Sequence, residues 1–173
     1  LNGCGEDNKY QKSSVPVLTG ADQPDQITFK AHIFLYSGGR RTTDLHAQKI
    51  EQFTKRDSTI ATDLNVDFFD STGARVSTLT ADKGYIREKD NFLAVSGSVV
   101  VVGEDSVQLR TVYLEWDAAH DKVVTDSFVT IVRENDTLYS YGVETDPRLR
   151  NTIFKRQVRG QMTDIEKGSN DRK

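Results

Sequence analysis

A single cysteine in 173 residues excludes an internal disulfide. The three prolines, at 16, 24 and 147, fall outside every run that reads as a strand, so no hydrogen-bond ladder is interrupted by a missing N–H. No apolar run approaches the roughly 20 residues a membrane-spanning helix needs. No basic run with interleaved aromatics occurs, and 23 basic against 26 acidic residues leave a charge of −3, so nucleic acid is excluded as a partner. The three histidines, His32, His46 and His120, are scattered without an i, i+4 partner. They are expected to face solvent or sit in turns, and no metal site is expected. No Gly-rich phosphate loop precedes a helix. Phe69-Asp70-Ser71-Thr72-Gly73 resembles the Asp-Thr-Gly loop of aspartic proteases, but it is one residue too long and has no second copy, so it reads as a hairpin turn. Glu104-Asp105 reads as a solvated pair in a turn, and the sequon Asn135-Asp136-Thr137 as another turn. These absences predict no enzyme, no catalytic residue and no cofactor.

What the chain does have is a degenerate repeat of strand-type sequence. Leu79, Leu109 and Leu138 open three copies 30 and 29 residues apart. Leu79, Ala81, Gly84, Ile86, Val95 and Val99 answer to Leu109, Thr111, Leu114, Trp116, Thr125 and Val129, and then to Leu138, Ser140, Val143, Thr145 and Val158 where the third copy continues. A looser copy begins at Leu45 and ends in Val66, Phe68 and Phe69. Repeats of this length stack units that cannot bury their apolar faces alone. Each unit reads as two strands, so the expected product is a long all-β trough or roll. Mean hydropathy of −0.56 and an apolar fraction of 36% suit an antiparallel sheet with one buried face.

Turns punctuate the repeat at Asp70–Gly73, Glu88–Asn91, Gly103–Ser106, Ala118–Asp121 and Glu134–Thr137, about 15 residues apart from the second onward. The runs between them are rich in Val, Ile, Thr, Tyr and Phe. Val99-Val100-Val101-Val102 does not alternate and reads as covered on both sides. Thr43 to Thr54 is the best helical candidate, through Leu45, Ile50 and Phe53, but its place in the repeat argues for strand. Three segments follow: a tether over residues 1–25, a β domain over 26–162 and a polar tail over 163–173. Cys4, in Leu1-Asn2-Gly3-Cys4, fits the box that ends a bacterial lipoprotein signal, and the Asp-, Ser- and Pro-rich segment after it suits a tether. The alternative is an ordinary cysteine in a leader. The charged and apolar part of such a signal does not precede the box, so the start is expected to be that of a trimmed precursor.

The apolar positions Val66, Phe68, Leu79, Ala81, Ile86, Leu93, Val95, Val99, Val101, Leu109, Leu114, Trp116, Val124, Val129 and Ile131 line one expected interior. A core and a lipid-holding lining use the same residues, so both readings stand here. Two edges remain at the ends of the stack: Ile27 to Tyr36, with Ile27, Phe29 and Ile33, and Thr152 to Arg159, with Ile153, Phe154 and Val158. Such edges accept a strand from another chain. Lys155, Arg156 and Arg159 equally fit protection against aggregation.

Several ordered segments carry a resemblance. Val66-Asp67-Phe68-Phe69-Asp70-Ser71-Thr72-Gly73, then Leu79-Thr80-Ala81-Asp82-Lys83-Gly84-Tyr85-Ile86, then Ser96-Gly97-Ser98-Val99, then Leu109-Arg110-Thr111-Val112-Tyr113-Leu114-Glu115-Trp116-Asp117 resemble successive segments of the LptC family. Serine replaces that family's usual asparagine in the third. The resemblance spans about residues 45 to 147. It implies a twisted antiparallel β-jellyroll, or β-taco, open along one seam. It also implies lipopolysaccharide as cargo, with lipid A acyl chains carried inside and no catalysis. The N-terminal edge would meet the periplasmic domains of an ABC transporter, and the C-terminal edge a homologous bridge protein. The expected place is the periplasm of a Gram-negative bacterium. Familiar members carry an N-terminal transmembrane helix, whereas Cys4 here points to a lipid anchor, in the inner membrane by analogy.

Overall fold

The computed structural model describes residues 23–161, apart from 90, 91, 118, 121 and 135. The expected tether as far as residue 22, with Cys4 and Pro16, the expected polar tail, and the turn residues Asp90, Asn91, Ala118, Asp121 and Asn135 lie outside the described residues. Among the described residues nine strands follow one another: β1 (Gln26–Ser37), β2 (Arg40–Phe53), β3 (Ser58–Phe69), β4 (Arg75–Arg87), β5 (Phe92–Val102), β6 (Gln108–Asp117), β7 (Lys122–Arg133), β8 (Asp136–Thr145) and β9 (Thr152–Gln161). They form one antiparallel sheet in sequence order. β1 and β9 are its edges, so the sheet is open and not a barrel. Each repeat is a pair of strands, β4–β5, β6–β7 and β8–β9, with β2–β3 as the looser copy. Thr43 to Thr54, the helical candidate, is β2 with one residue of the following 3-10 turn.

A flat sheet leaves both faces wet, yet Leu109 and Val143 are 0% exposed and Val99 and Val129 1%. The sheet therefore folds over on itself, and the device that bends it is visible in the ladder. Every neighbouring pair breaks or shifts near mid-strand: at Lys30 and Gln48, at Gln48 and Asp63, at Asp63 and Asp82, then between Thr80 and Lys83, Ser96 and Val99, Arg110 and Glu115, Thr125 and Phe128, and Tyr139 and Tyr141. Lys30, Asp63, Gly97, Gly142 and Gln157 on that line have left-handed φ values of 51°, 51°, 98°, 80° and 49°. A single left-handed residue turns a strand about its own axis, so the inward parity changes as the strand crosses the line. Buried residues step by three across the crease, on strands that carry such a residue (Ala61 to Leu64, Ser140 to Val143) and on strands whose ladder breaks there without one (Ala47 to Ile50, Thr111 to Leu114). Both halves of the inner strands thus face one shared core.

Breaking a ladder strands backbone polar groups, and side chains take their place. Thr111 donates to the carbonyl of Phe128 at 2.9 Å, and Ser140 reaches the carbonyls of Arg156 at 2.9 Å and Gly142 at 3.1 Å. Thr125 Oγ1 accepts from the Ser127 N–H at 3.1 Å, and Asp82 accepts from the Ser98 N–H at 2.9 Å. This explains why polar Thr111, Thr125 and Ser140 are buried within an apolar interior.

Candidate functional site

The crease brings the two rims of hairpin turns to face each other. The β8–β9 connection leaves Thr145 on one rim and crosses to the other. There Arg148 pairs with Asp70 of the β3–β4 turn and with Glu104 beyond β5, both at 3.3 Å. Arg150 also pairs with Glu104. Leu149, 2% exposed at φ 60°, drives its side chain into the core, and its carbonyl accepts from Arg133 at 3.4 Å. A Cβ on Gly103 would stand 2.7 Å from the Arg148 carbonyl, so this close crossing needs glycine there. Residues 146–151 are thus a strap across the mouth of the folded sheet, with an apolar plug and a charged clasp.

Asp146 anchors the strap. Its partial burial raises its pKa, but N–H donors from Asn151, Arg150 and Arg148, with the Asn151 side chain, outweigh this and hold it below the ordinary carboxylate range. Asp70 is lowered too, first by the Thr72 hydroxyl and N–H, against some desolvation, then by the Ala74 N–H and Arg148.

Most of the expected lining reaches the interior. Val66, Ala81, Val95, Val99, Val101, Leu109, Leu114, Val129 and Ile131 belong to the buried cluster, and Phe68 and Leu79 pack on it half-buried. Ile86 and Trp116 are half-buried at its margin. Leu93 is a correction: at the start of β5, paired only with Ile86 near the rim, it is 37% exposed. Val124 is another, because at this end of β7 its neighbour Val123 packs on the core instead. Val124 lines an outer recess with Tyr113, Glu115, Asp126 and Lys155. Burial and a hydrogen bond to Glu115 push the Tyr113 hydroxyl in that recess up to about 12. Val99 to Val102 also differ from expectation: Val99 and Val101 are buried while Val100 and Val102 are half-buried, so the run does alternate.

Sequence reasoning missed Ala31, Ala47, Ile50, Ala61 and Leu64, which extend the same cluster across β1–β3, and Val107, Val143 and Leu149 towards the strap. The signal for the first group was present as apolar steps of three, which resemble a helix until the crease is known. Leu149 carried no signal, since a lone leucine in a turn has no period.

Burial falls off towards both edges. On β1, Ile27, Phe29, Ile33, Phe34, Leu35 and Tyr36 are exposed, and only Ala31 is buried. On β9, Ile153 and Val158 are exposed while Phe154 packs half-buried on the core. The apolar interior is therefore sealed in the middle of the sheet and uncovered at its edge strands. The histidines face solvent or sit in a turn as expected, but the fold brings two of them together: His32 and His46 are direct partners across β1 and β2, with rings stacked 3.8 Å apart, while His120 lies in the β6–β7 turn beside Asp117.

This geometry meets its counterpart in known proteins. The sequence matches, over residues 6–163, the family described as lipopolysaccharide-assembly, LptC-related. The chain belongs to the LptC family. It is a periplasmic component of lipopolysaccharide transport and, like that family, non-catalytic. Among solved structures it is similar to LptH from Pseudomonas aeruginosa, the LptA-homologous periplasmic component of the lipopolysaccharide transport device. The TM-score is 0.54 and the identity 10%, over 70% of this chain and 95% of that one. At that identity the likeness establishes the β-jellyroll fold alone. No curated protein matches the chain by sequence. Among the described residues no helix is long and apolar enough to cross a membrane.

Proposed function

We propose that this LptC-family protein receives lipopolysaccharide from an inner-membrane ABC transporter at β1 and passes it to a homologous bridge protein at β9, with the acyl chains in its apolar interior. One observation carries the reading: a single apolar inner face runs through all the strands and is uncovered only towards the edges. Acyl chains cost about 25 cal/mol per Å² of apolar surface left in water. A lining that continues from one sheet to the next by strand addition spares them that cost, and Ile33 and Leu35 at one edge and Phe154 at the other supply apolar side chains for the junctions. Cys4 would carry acyl chains that hold the protein at the inner membrane, each buried methylene contributing about 0.8 kcal/mol.

In this reading the interior is a filled groove awaiting cargo, and the two layers part when lipid enters. The test is capture of lipopolysaccharide by the purified protein. Phe68→Asp places a charge at the half-buried margin of the interior, where the fold can survive it. Loss of capture with an unchanged circular dichroism spectrum is the expected result. Undiminished capture by the folded variant would count against an interior route.

A second reading is a scaffold that binds only proteins. It is favoured by the close packing around Leu109, Leu114 and Val143, which leaves no room for a chain without rearrangement. It predicts edge-dependent binding of partner proteins and no lipid in the purified protein.

A further inference from the structure

On the outer face of the edge pair β1–β2, three metal-ligating side chains converge. Asp44 and His46 are two apart on β2 and so share a face; His32 is the direct cross-strand partner of His46. His32 Nε2 lies 2.6 Å from Asp44 Oδ1, and His46 Nε2 lies 3.5 Å from the same oxygen. The donor atoms of all three residues fall within 4.8 Å of one another. Arg41 approaches the other carboxylate oxygen at 3.5 Å and also stacks over Phe69, leaving Oδ1 to the imidazoles.

We propose that His32, Asp44 and His46 form a binding site for a divalent transition-metal ion of the zinc type. Zinc held about 2.0–2.1 Å from nitrogen and oxygen donors in a tetrahedron needs those donors a little over 3 Å apart, and small side-chain rotations bring the three to that spacing. Two imidazoles and one carboxylate suit Zn²⁺ and its neighbours rather than Mg²⁺ or Ca²⁺, which prefer all-oxygen shells. The ligands stand on two paired strands rather than on a loop, which fixes their separation. With three protein donors the fourth position stays open to water or to a donor from a chain docked on β1. The ion would staple the exposed edge strand to β2 beside Ala31, the one residue of β1 that is buried.

The test is isothermal titration of the full chain with ZnCl₂, with MgCl₂ for comparison. One Zn²⁺ per chain and no saturable Mg²⁺ binding are expected. His32→Ala and His46→Ala should each weaken Zn²⁺ binding at least ~10-fold, since losing an outer-shell partner alone costs that much. His120→Ala, which removes the other histidine beside a carboxylate, should leave it unchanged. Both ligand histidines are exposed, so these variants keep the fold. As a second readout, stoichiometric Zn²⁺ should shift the imidazole resonances of His32 and His46 and not those of His120. Absence of saturable Zn²⁺ binding would overturn the proposal. So would binding that survives the His32→Ala/His46→Ala double variant, which would place the ion elsewhere, at Cys4 for example.

Discussion

Gly97 is where a single residue bears most on the bend. Its φ of 98° is open to few residues with a side chain, and an added Cβ would stand 2.2 Å from Asp82 Oδ2, the atom that accepts from the Ser98 N–H. Gly97→Ala therefore strains the backbone and dislodges a partner at once. A loss of about 1–3 kcal/mol is expected, read as a lowered urea midpoint at unchanged slope. Asp146 matters for a different reason. Its carboxylate accepts from three backbone N–H groups, those of Arg148, Arg150 and Asn151, at 2.8, 3.2 and 2.8 Å. Asp146→Ala leaves all three without that partner and should cost on the order of 1–3 kcal/mol, measured in the same way.

Among the elements, the strap has a built-in pH dependence. Asp70 and Asp146 both titrate below their ordinary value of 3.8, so each binds fewer protons folded than unfolded near that value. Their contribution is complete above the ordinary carboxylate range and is lost as pH falls through the lowered folded values. Amide hydrogen exchange across residues 146–151, corrected for intrinsic rates, should rise relative to the β5–β8 core when pH drops from about 6 to about 3. Equal protection at both values would mean that the clasp does not hold the strap. The strap was not legible in the sequence, because Arg148, Asp70 and Glu104 meet only after the sheet has folded over. The strands themselves were legible, since turn residues recur at regular spacing and the half-repeats carry β-branched runs. The crease was half legible: Gly97, Gly142 and Asp63 are of types that accept left-handed backbone, but Lys30 and Gln157 adopt it without any residue preference to announce it. That is why Leu45, Ile50 and Phe53 gave a helix-like spacing, and why the inward list, drawn without the crease, took in Leu93 and Val124 beside the buried Val99.

At the scale of the whole molecule, the proposed function makes one sheet both wall and connector. Its middle strands bury the apolar face, and its exposed edge strands would offer that face to a neighbour. Substitutions on the outer side of an edge strand should therefore spare the fold. Ile153→Lys, at a residue 60% exposed on β9, is expected to change stability by no more than about 0.5 kcal/mol while weakening strand addition by a bridge protein, assayed by co-purification. The central claim is that the acyl chains travel inside. Phe68 and Phe128 offer a matched pair for testing it, one half-buried on the core and the other 46% exposed on the outer face. The most direct measurement replaces each in turn with a photoreactive phenylalanine analogue in living cells. The account predicts crosslinks to lipopolysaccharide from position 68 and none from position 128. Equal crosslinking at both, or silence at position 68 in a folded and expressed protein, would contradict it.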